Sequence, residues 1–100
     1  MTLKKDYFPL RCSETIENIG VSIKNARKTK NMRQLDLAES MGVSVSTIKK
    51  IEKGDRKIEI GLVLKTMWFV GIDNIFNAIP YQQEVEKTRV RHKKVKTEDF

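Results

Sequence analysis

Apolar residues recur at steps of three and four between residues 14 and 30, which is the spacing of one face of a helix. Ser13 precedes this stretch as an N-cap, and Asn31 follows it as a helix terminator. The pattern therefore predicts a first helix over about 14–30. Its apolar stripe consists of Ile16, Ile19, Ile23 and Ala26.

Two short helices are predicted between residues 34 and 54, joined at Gly42. A backbone that turns left-handed at this point requires glycine. Ser44 is placed to cap the second of the two helices, and Gly54 is placed to end it. Ala38 has to be small, because the two helices cross closely there. The residues that hold the pair against the other helices are Leu37, Met41, Val43, Ile48 and Ile51.

A fourth helix is predicted over about 59–70, where Gly71 breaks it. Asp73 is placed to cap a short fifth helix over 74–79, which Pro80 closes. No segment alternates strictly between apolar and polar residues, so strands are not expected. The inner stripe of the fourth helix is predicted to be Ile60, Leu64, Met67 and Val70.

The 100 residues suit one small domain with tails. We expect an N-terminal arm over 1–12, the folded domain over 13–80 and a basic tail over 81–100. Six Lys or Arg residues and no acid lie within 87–96, so this tail is expected to be flexible on its own.

The net charge of +7, from 20 Lys+Arg against 13 Asp+Glu, favours an anionic partner, with nucleic acid ahead of a membrane surface. Cys12 is the single cysteine, so an internal disulfide is excluded and neither a metal site nor a cofactor is expected. No signal peptide and no apolar run of about 18 residues is present, which predicts a soluble, cytoplasmic chain without membrane contact.

The stretch from Gln34 to Gly54 resembles the Cro/repressor-type helix-turn-helix family of Xre-like regulators, and the resemblance covers roughly 16–79. It implies a compact, all-α, five-helix domain that binds double-stranded operator DNA as a symmetric homodimer. The residues that carry it are Gln34, Leu37, Ala38, Met41, Gly42, Val43, Ser44, Ile48, Ile51, Glu52, Gly54, Val70 and Gly71.

In this family the second helix of the pair lies in the major groove, so its outward face must stay short and polar to approach the bases. Many members carry glutamine at the position of Val45, which implies that this chain reads a different sequence. The alternative is that the serines only cap the helix and face solvent. The base-reading positions carried over are Ser44, Val45, Ser46, Lys49 and Lys50.

The resemblance also implies a set of phosphate contacts. Gln34 would bind a phosphate oxygen and brace the recognition helix. Arg33 replaces the usual capping residue, and its charge beside a helix N-terminus is unfavourable until an anion arrives. The alternatives are an uncapped helix for Arg33 and a merely solvated loop for the later cations. The phosphate-binding set is Arg33, Gln34, Lys53, Arg56 and Lys57.

Two further pairs are singled out. Arg27 and Glu52 occupy positions that form an ion pair in this family, and the pair would hold the recognition helix at its angle. Trp68 lies off the apolar stripe of the fourth helix, so Trp68 and Phe69 are candidates for a dimer or partner contact. Packing of both rings in the core is the alternative.

Two classes of function compete. The first is a DNA-binding autorepressor, either a phage-type repressor or a HipB-like antitoxin whose partner is a HipA-like toxin kinase; in either case the chain would be associated with the nucleoid. The second is a protein-binding module of the same fold that reads no DNA. An enzyme is not expected, because no Ser/His/Asp set, apolar carboxylate pair or phosphate-binding glycine loop is present.

Overall fold

The computed structural model describes residues 7–79, and throughout this range the regular elements are helices. The predicted all-α fold is therefore confirmed. The helices are α1 (Leu10–Thr29), α2 (Gln34–Met41), α3 (Val45–Lys53), α4 (Ile60–Phe69) and α5 (Asn74–Ala78).

Helix α1 begins four residues earlier than the sequence predicts. Pro9 is its N-cap, with φ −58° and ψ 138°, and the Pro9 carbonyl accepts the backbone N–H groups of Cys12 at 3.0 Å and Ser13 at 3.2 Å. The prediction that Ser13 caps the helix is wrong, because the fixed φ of proline suits the start of a helix as well as it blocks the interior. At the other end Asn31 has φ 58°, so its predicted role as terminator is confirmed.

The turn between α2 and α3 has the predicted geometry. Gly42 ends α2 with φ 71°, and Gly54 ends α3 with φ 80°. The Ser44 side chain caps α3, since its Oγ accepts the Thr47 N–H at 3.1 Å. Both glycines and the serine cap are confirmed.

The buried face of α4 differs from the predicted stripe. Met67 and Val70 are buried as predicted, but Ile60 is 75% exposed. Ile60 is the first residue of α4, and the helix packs against the core only from Leu62 onward. Thr66 is fully buried instead, and its hydroxyl donates to the Leu62 carbonyl at 2.7 Å, which satisfies the only polar group of its side chain.

Helix α5 follows Gly71, which has φ 84°. Asp73 stands at the N-cap position with φ −118° and ψ −5°, and its side chain makes no capping hydrogen bond. The predicted cap is therefore wrong, because a capping side chain needs an extended backbone at its own position. The helix ends at Ala78, one residue before the predicted end.

The core lies where α1 and α2 pack on α3 and α2 packs on α4. Helices α1 and α3 approach each other closely at Gly20, where a Cβ would lie 2.5 Å from the Glu52 carbonyl oxygen and 2.8 Å from that of Ile51. Ala38 is also buried, as its small size predicts. The buried apolar residues are Ile23, Leu37, Ala38, Met41, Ile48, Ile51, Met67 and Val70.

The proposed domain limits are not tested by these helices. The described residues leave out the first half of the predicted arm (1–12), Pro80 and the whole predicted tail (81–100). Residues 10–12 of the predicted arm belong to α1.

Candidate nucleic-acid interface

One side of α3 is exposed and carries cations without an acid. Its residues are spaced by three, four and seven positions, so they share a helix face, and all four are exposed. The opposite side of α3 is buried in the core through Ile48 and Ile51. We call the exposed side the outer face of α3, which consists of Ser46, Lys49, Lys50 and Lys53.

The other two predicted base-reading residues lie at the N-terminal edge of this face. The Ser44 hydroxyl accepts the Thr47 N–H and lies 3.0 Å from Thr47 Oγ1, so it already has two partners within the helix. Val45 is half-buried and packs against the core. The freely exposed predicted base-reading residues are therefore Ser46, Lys49 and Lys50.

The inner side of α3 also carries a buried carboxylate, that of Glu52. Arg27 of α1 donates to it twice, from Nε to Oε2 at 2.6 Å and from Nη2 to Oε1 at 3.2 Å. The third nitrogen of the same guanidinium, Nη1, donates to the Met32 carbonyl at 2.8 Å. The guanidinium therefore joins α1 to α3 and to the α1–α2 turn through a planar set of donors.

Gln34, the first residue of α2, reaches the same carboxylate. Its Nε2 donates to Glu52 Oε1 at 3.0 Å. Three helices thus meet at Glu52, which fixes where α3 sits relative to α1 and α2. This position braces α3, and the side chain of Gln34 remains half-buried.

The start of α2 contradicts the electrostatic argument made for Arg33. Asp36 supplies an anion within the protein, since Arg33 Nη2 donates to Asp36 Oδ1 at 2.8 Å and Arg33 Nε donates to Oδ2 at 3.1 Å. Oδ2 also accepts the Arg33 backbone N–H at 2.8 Å, which is one half of a capping box. The Arg33 side chain makes no capping hydrogen bond to the helix, but its charge already has an anion within the protein.

This pairing changes the ionisation of both groups. The hydrogen bonds from the Arg33 side chain and backbone lower the pKa of Asp36 to about 2. The hydrogen bond from Asp36 raises the pKa of the Arg33 guanidinium. Both side chains are at the surface, and Arg33 is exposed enough to meet another partner.

The loop after α3 presents the remaining predicted phosphate contacts. Arg56 and Lys57 are exposed, and the Lys57 N–H donates to Asp55 Oδ1 at 2.8 Å, which shapes the turn. The Arg56 guanidinium lies over the ring of Phe8, with its carbon 4.5 Å from the ring centre. A cation–π contact therefore joins this loop to the segment before α1.

Three residues that shape this region were not identified from the sequence. Gly20 carried a signal, because a glycine inside a helical pattern often marks a close approach of two backbones. Asp36 also carried one, since an acid three residues after the N-cap position is typical of a capping box. Phe8 carried no local signal, because its partner Arg56 is distant in sequence.

Trp68 and Phe69 both lie on the surface. Trp68 is 69% exposed and Phe69 is 37% exposed, so core packing of the two rings is excluded. Trp68 meets Phe76 of α5 edge to face, with ring centres 6.3 Å apart. Trp68 and Phe76 thus form an exposed aromatic patch at the junction of α4 and α5.

The helical pair agrees with a comparison against protein families, in which residues 23–65 match the model described as helix-turn-helix. This segment is therefore similar to the helix-turn-helix domains of the Cro/repressor type. The helix-turn-helix match begins within α1, contains α2 and α3 whole, and ends within α4. No curated protein and no solved structure matches the chain.

Helix-turn-helix domains of this family bind DNA and are not catalytic, so the match supports a DNA-binding regulator. Within residues 7–79, the residue types that could hold a metal ion (His, Cys, Asp and Glu) form no cluster of three or more. Among the same residues, no helix combines the length and apolar character needed to cross a bilayer.

Proposed function

We propose that this helix-turn-helix protein is a sequence-specific regulator that represses its own operon, with α3 as the helix that enters the major groove. The observation that carries the proposal is the outer face of α3. It offers one short side chain and three lysines to an anionic surface, and the buried Glu52 brace holds the opposite side of the helix in place.

Base readout would fall mainly to Ser46, Lys49 and Lys50. A lysine can donate to O6 and N7 of guanine, and a serine hydroxyl can donate or accept. Val45 would contact a thymine methyl group from its half-buried position, whereas Ser44 would contribute through the helix cap it forms. We expect the lysines to dominate, because both are exposed.

Phosphate contacts would flank α3 on both sides. Gln34 stands at the N-terminus of α2, where the helix dipole favours a phosphate. Lys53, Arg56 and Lys57 follow the recognition helix, and all three are exposed. Arg33 would exchange Asp36 for a phosphate, so its contribution is expected to be smaller than that of the other cations.

The active form would be a homodimer on a symmetric operator, with the exposed aromatic patch as the dimer contact. Large rings at the surface are the side chains most often responsible for the strength of protein interfaces. Such a dimer would place one α3 in each of two successive major grooves, so operator half-sites would lie about 34–36 Å apart.

Within this class we favour the antitoxin of a HipBA-like operon, which would also bind a HipA-like toxin kinase. Support comes from the stretch VGIDNIFNAIP followed by a basic segment, a pattern similar to that of such antitoxins. A phage-type repressor would show the same DNA binding without a kinase partner. Either regulator would act on the nucleoid, in the cytoplasm.

The proposal is tested by fluorescence anisotropy on the duplex upstream of the gene and on a scrambled duplex, across a salt series. We expect the native duplex to bind at least ~10³-fold more tightly at physiological salt. Ser46→Ala and Lys50→Ala should reduce this ratio, whereas Lys65→Ala should leave it unchanged, because Lys65 is an exposed lysine of α4 rather than of α3.

Equal affinity for the two duplexes would contradict sequence-specific binding at this promoter. If the affinity of both also collapses as salt rises, the protein contacts only the phosphate backbone. A complete absence of binding would favour the protein-binding module.

A further inference from the structure

The contact between Phe8 and Arg56 links the segment before α1 to the loop that follows the proposed recognition helix. The Arg56 guanidinium carbon lies 4.5 Å from the centre of the Phe8 ring. Phe8 is half-buried, whereas Arg56 remains exposed. The ring therefore supports the cation without removing it from solvent.

Backbone packing explains why these two residues meet. The N-terminal half of α1 runs along the C-terminal end of α3, first at Gly20 beside the Glu52 carbonyl and then at Glu17 beside Gly54. A Cβ at Gly54 would lie only 2.8 Å from the Glu17 Cα, so the backbone of α1 is in contact with the end of α3 at that point. Phe8 directly precedes Pro9, the N-cap of α1, and its ring contacts Arg56 in the loop after α3.

A ring placed over the carbon of a guanidinium covers one side of the group and leaves the N–H donors that point away from the ring open to an anion. Among residues 7–79 Arg56 has no carboxylate partner within salt-bridge distance. Arg33, by contrast, donates hydrogen bonds from Nε and Nη2 to Asp36. Within the described part of the chain, Arg56 thus has an aromatic partner and no acidic one.

We propose that Phe8 is a positioning residue for DNA binding: it pre-orders the Arg56 guanidinium so that Arg56 meets a backbone phosphate beside the groove that α3 enters. The inference rests on the proposed function. Phe8 itself would not touch DNA. Its effect arises because a side chain ordered before binding loses less conformational entropy when the phosphate arrives.

The stack can be measured in the free protein by NMR. Ring currents of Phe8 should shift the Arg56 side-chain protons upfield, and Phe8→Leu should abolish this shift while Phe8→Tyr retains it. Tyr7→Leu is the matched control, because it removes the neighbouring exposed ring. Arg56 protons at ordinary positions in the wild-type protein would overturn the inference without reference to DNA.

A second experiment compares the affinity of the variants for operator DNA and the salt dependence of that affinity. Phe8→Leu should weaken binding about 2- to 5-fold, because the Arg56 side chain must then lose its conformational freedom on binding. The salt slope should be unchanged because the charge remains. Arg56→Ala should weaken binding and lower the slope by about 0.9. In the Arg56→Ala background, Phe8→Leu should have no further effect.

These outcomes separate the inference from the proposed function. If the wild-type protein selects its operator and Phe8→Leu weakens binding equally with and without Arg56, Phe8 acts by another route and the inference fails alone. If the wild-type protein binds no DNA while the NMR stack is present, the proposed function fails. Circular dichroism of each variant checks that the helices remain folded.

Discussion

At the scale of single residues, the carboxylate of Glu52 organises the helix-turn-helix domain. It is buried on the inner side of α3 and accepts hydrogen bonds from Arg27 and Gln34. A buried ion pair contributes little net stability, because both charges lose their hydration. Its value here is positional, since the planar guanidinium and the amide define where α3 lies.

Removing one partner of this pair should therefore cost far more than removing both. Arg27→Ala leaves the Glu52 charge buried and should lower the free energy of unfolding by ~3–5 kcal/mol, whereas Arg27→Met combined with Glu52→Leu should restore most of the loss. Urea unfolding followed by circular dichroism measures each value. Arg33→Ala, which breaks the exposed pair with Asp36, is the control and should change stability much less.

If the single and the double variant lose the same free energy of unfolding, the ion pair itself supplies the stability, and the unpaired charge of Glu52 does not explain the loss.

The contact between Arg33 and Asp36 predicts how the stability of the folded state depends on pH. Its pKa is lowered to about 2 from an ordinary value of 3.8, so the folded state favours the ionised carboxylate. The stabilisation is present in full above the unfolded pKa, near 4, and is lost as the pH falls through about 2. NMR titration of the side-chain carboxyl carbon should give this value, and Arg33→Gln should raise the pKa toward 3.8. A wild-type midpoint near 4 would contradict the Arg33 contact.

At the scale of helices, the contact between α1 and α3 depends on glycine. Gly20 lies against the carbonyl groups of Ile51 and Glu52, and Gly54 lies against Glu17. These approaches bring the backbones too close for any side chain between them. The angle of α3 relative to α1 therefore depends on Gly20 and Gly54, which have no side chains, as well as on the hydrogen bonds of Glu52.

Gly20→Ala should destabilise the domain although alanine favours helix. The added Cβ would lie 2.5 Å from the Glu52 carbonyl oxygen, so α1 and α3 must separate, at a cost of about 1–3 kcal/mol. Gly61→Ala is the matched control, because the nearest atom to its Cβ is a side-chain oxygen of Glu59 at 3.8 Å. That variant should gain about 0.5–1 kcal/mol from helix propensity. Both are read by thermal and urea unfolding.

A stable Gly20→Ala protein would mean that the two helices can shift at little cost. In that case its operator affinity would show whether the shift also moves the outer face of α3.

At the scale of the whole molecule, the described surface carries two unlike features, the outer face of α3 and the exposed aromatic patch at the α4–α5 junction. The first is basic and polar, whereas the second is built of large rings. This difference supports separate partners for the two surfaces: DNA for the basic face and a second copy of the chain for the rings.

Trp68→Ala should therefore weaken self-association. Sedimentation equilibrium of the wild-type protein is expected to give a dimer, and the variant should shift the equilibrium toward monomer by at least tenfold in dissociation constant, as for an interface hot spot. Val21→Ala, which shortens an exposed apolar side chain of α1, is the control. A wild-type monomer, or a dimer insensitive to Trp68→Ala, would place the dimer contact elsewhere or remove it.

The local chain signals predicted the fold well. Helix ends were predicted at Asn31, Gly42 and Gly54, and all three have the positive φ that ends a helix. The errors fell where a local signal was ambiguous: Pro9 starts α1 rather than Ser13, and Asp73 does not cap α5. The base-reading and phosphate-binding assignments still await the DNA measurements.

The sequence by itself determined the number of helices, where most of them end and the apolar face of α3, because these properties depend on residues within a few positions of one another. Only the tertiary structure decided which distant groups meet. The contacts of Gly20 with Glu52 and of Phe8 with Arg56 arise from how α1 lies across α3. No short-range pattern encodes such pairings, since their partners are more than thirty residues apart and are joined only by packing.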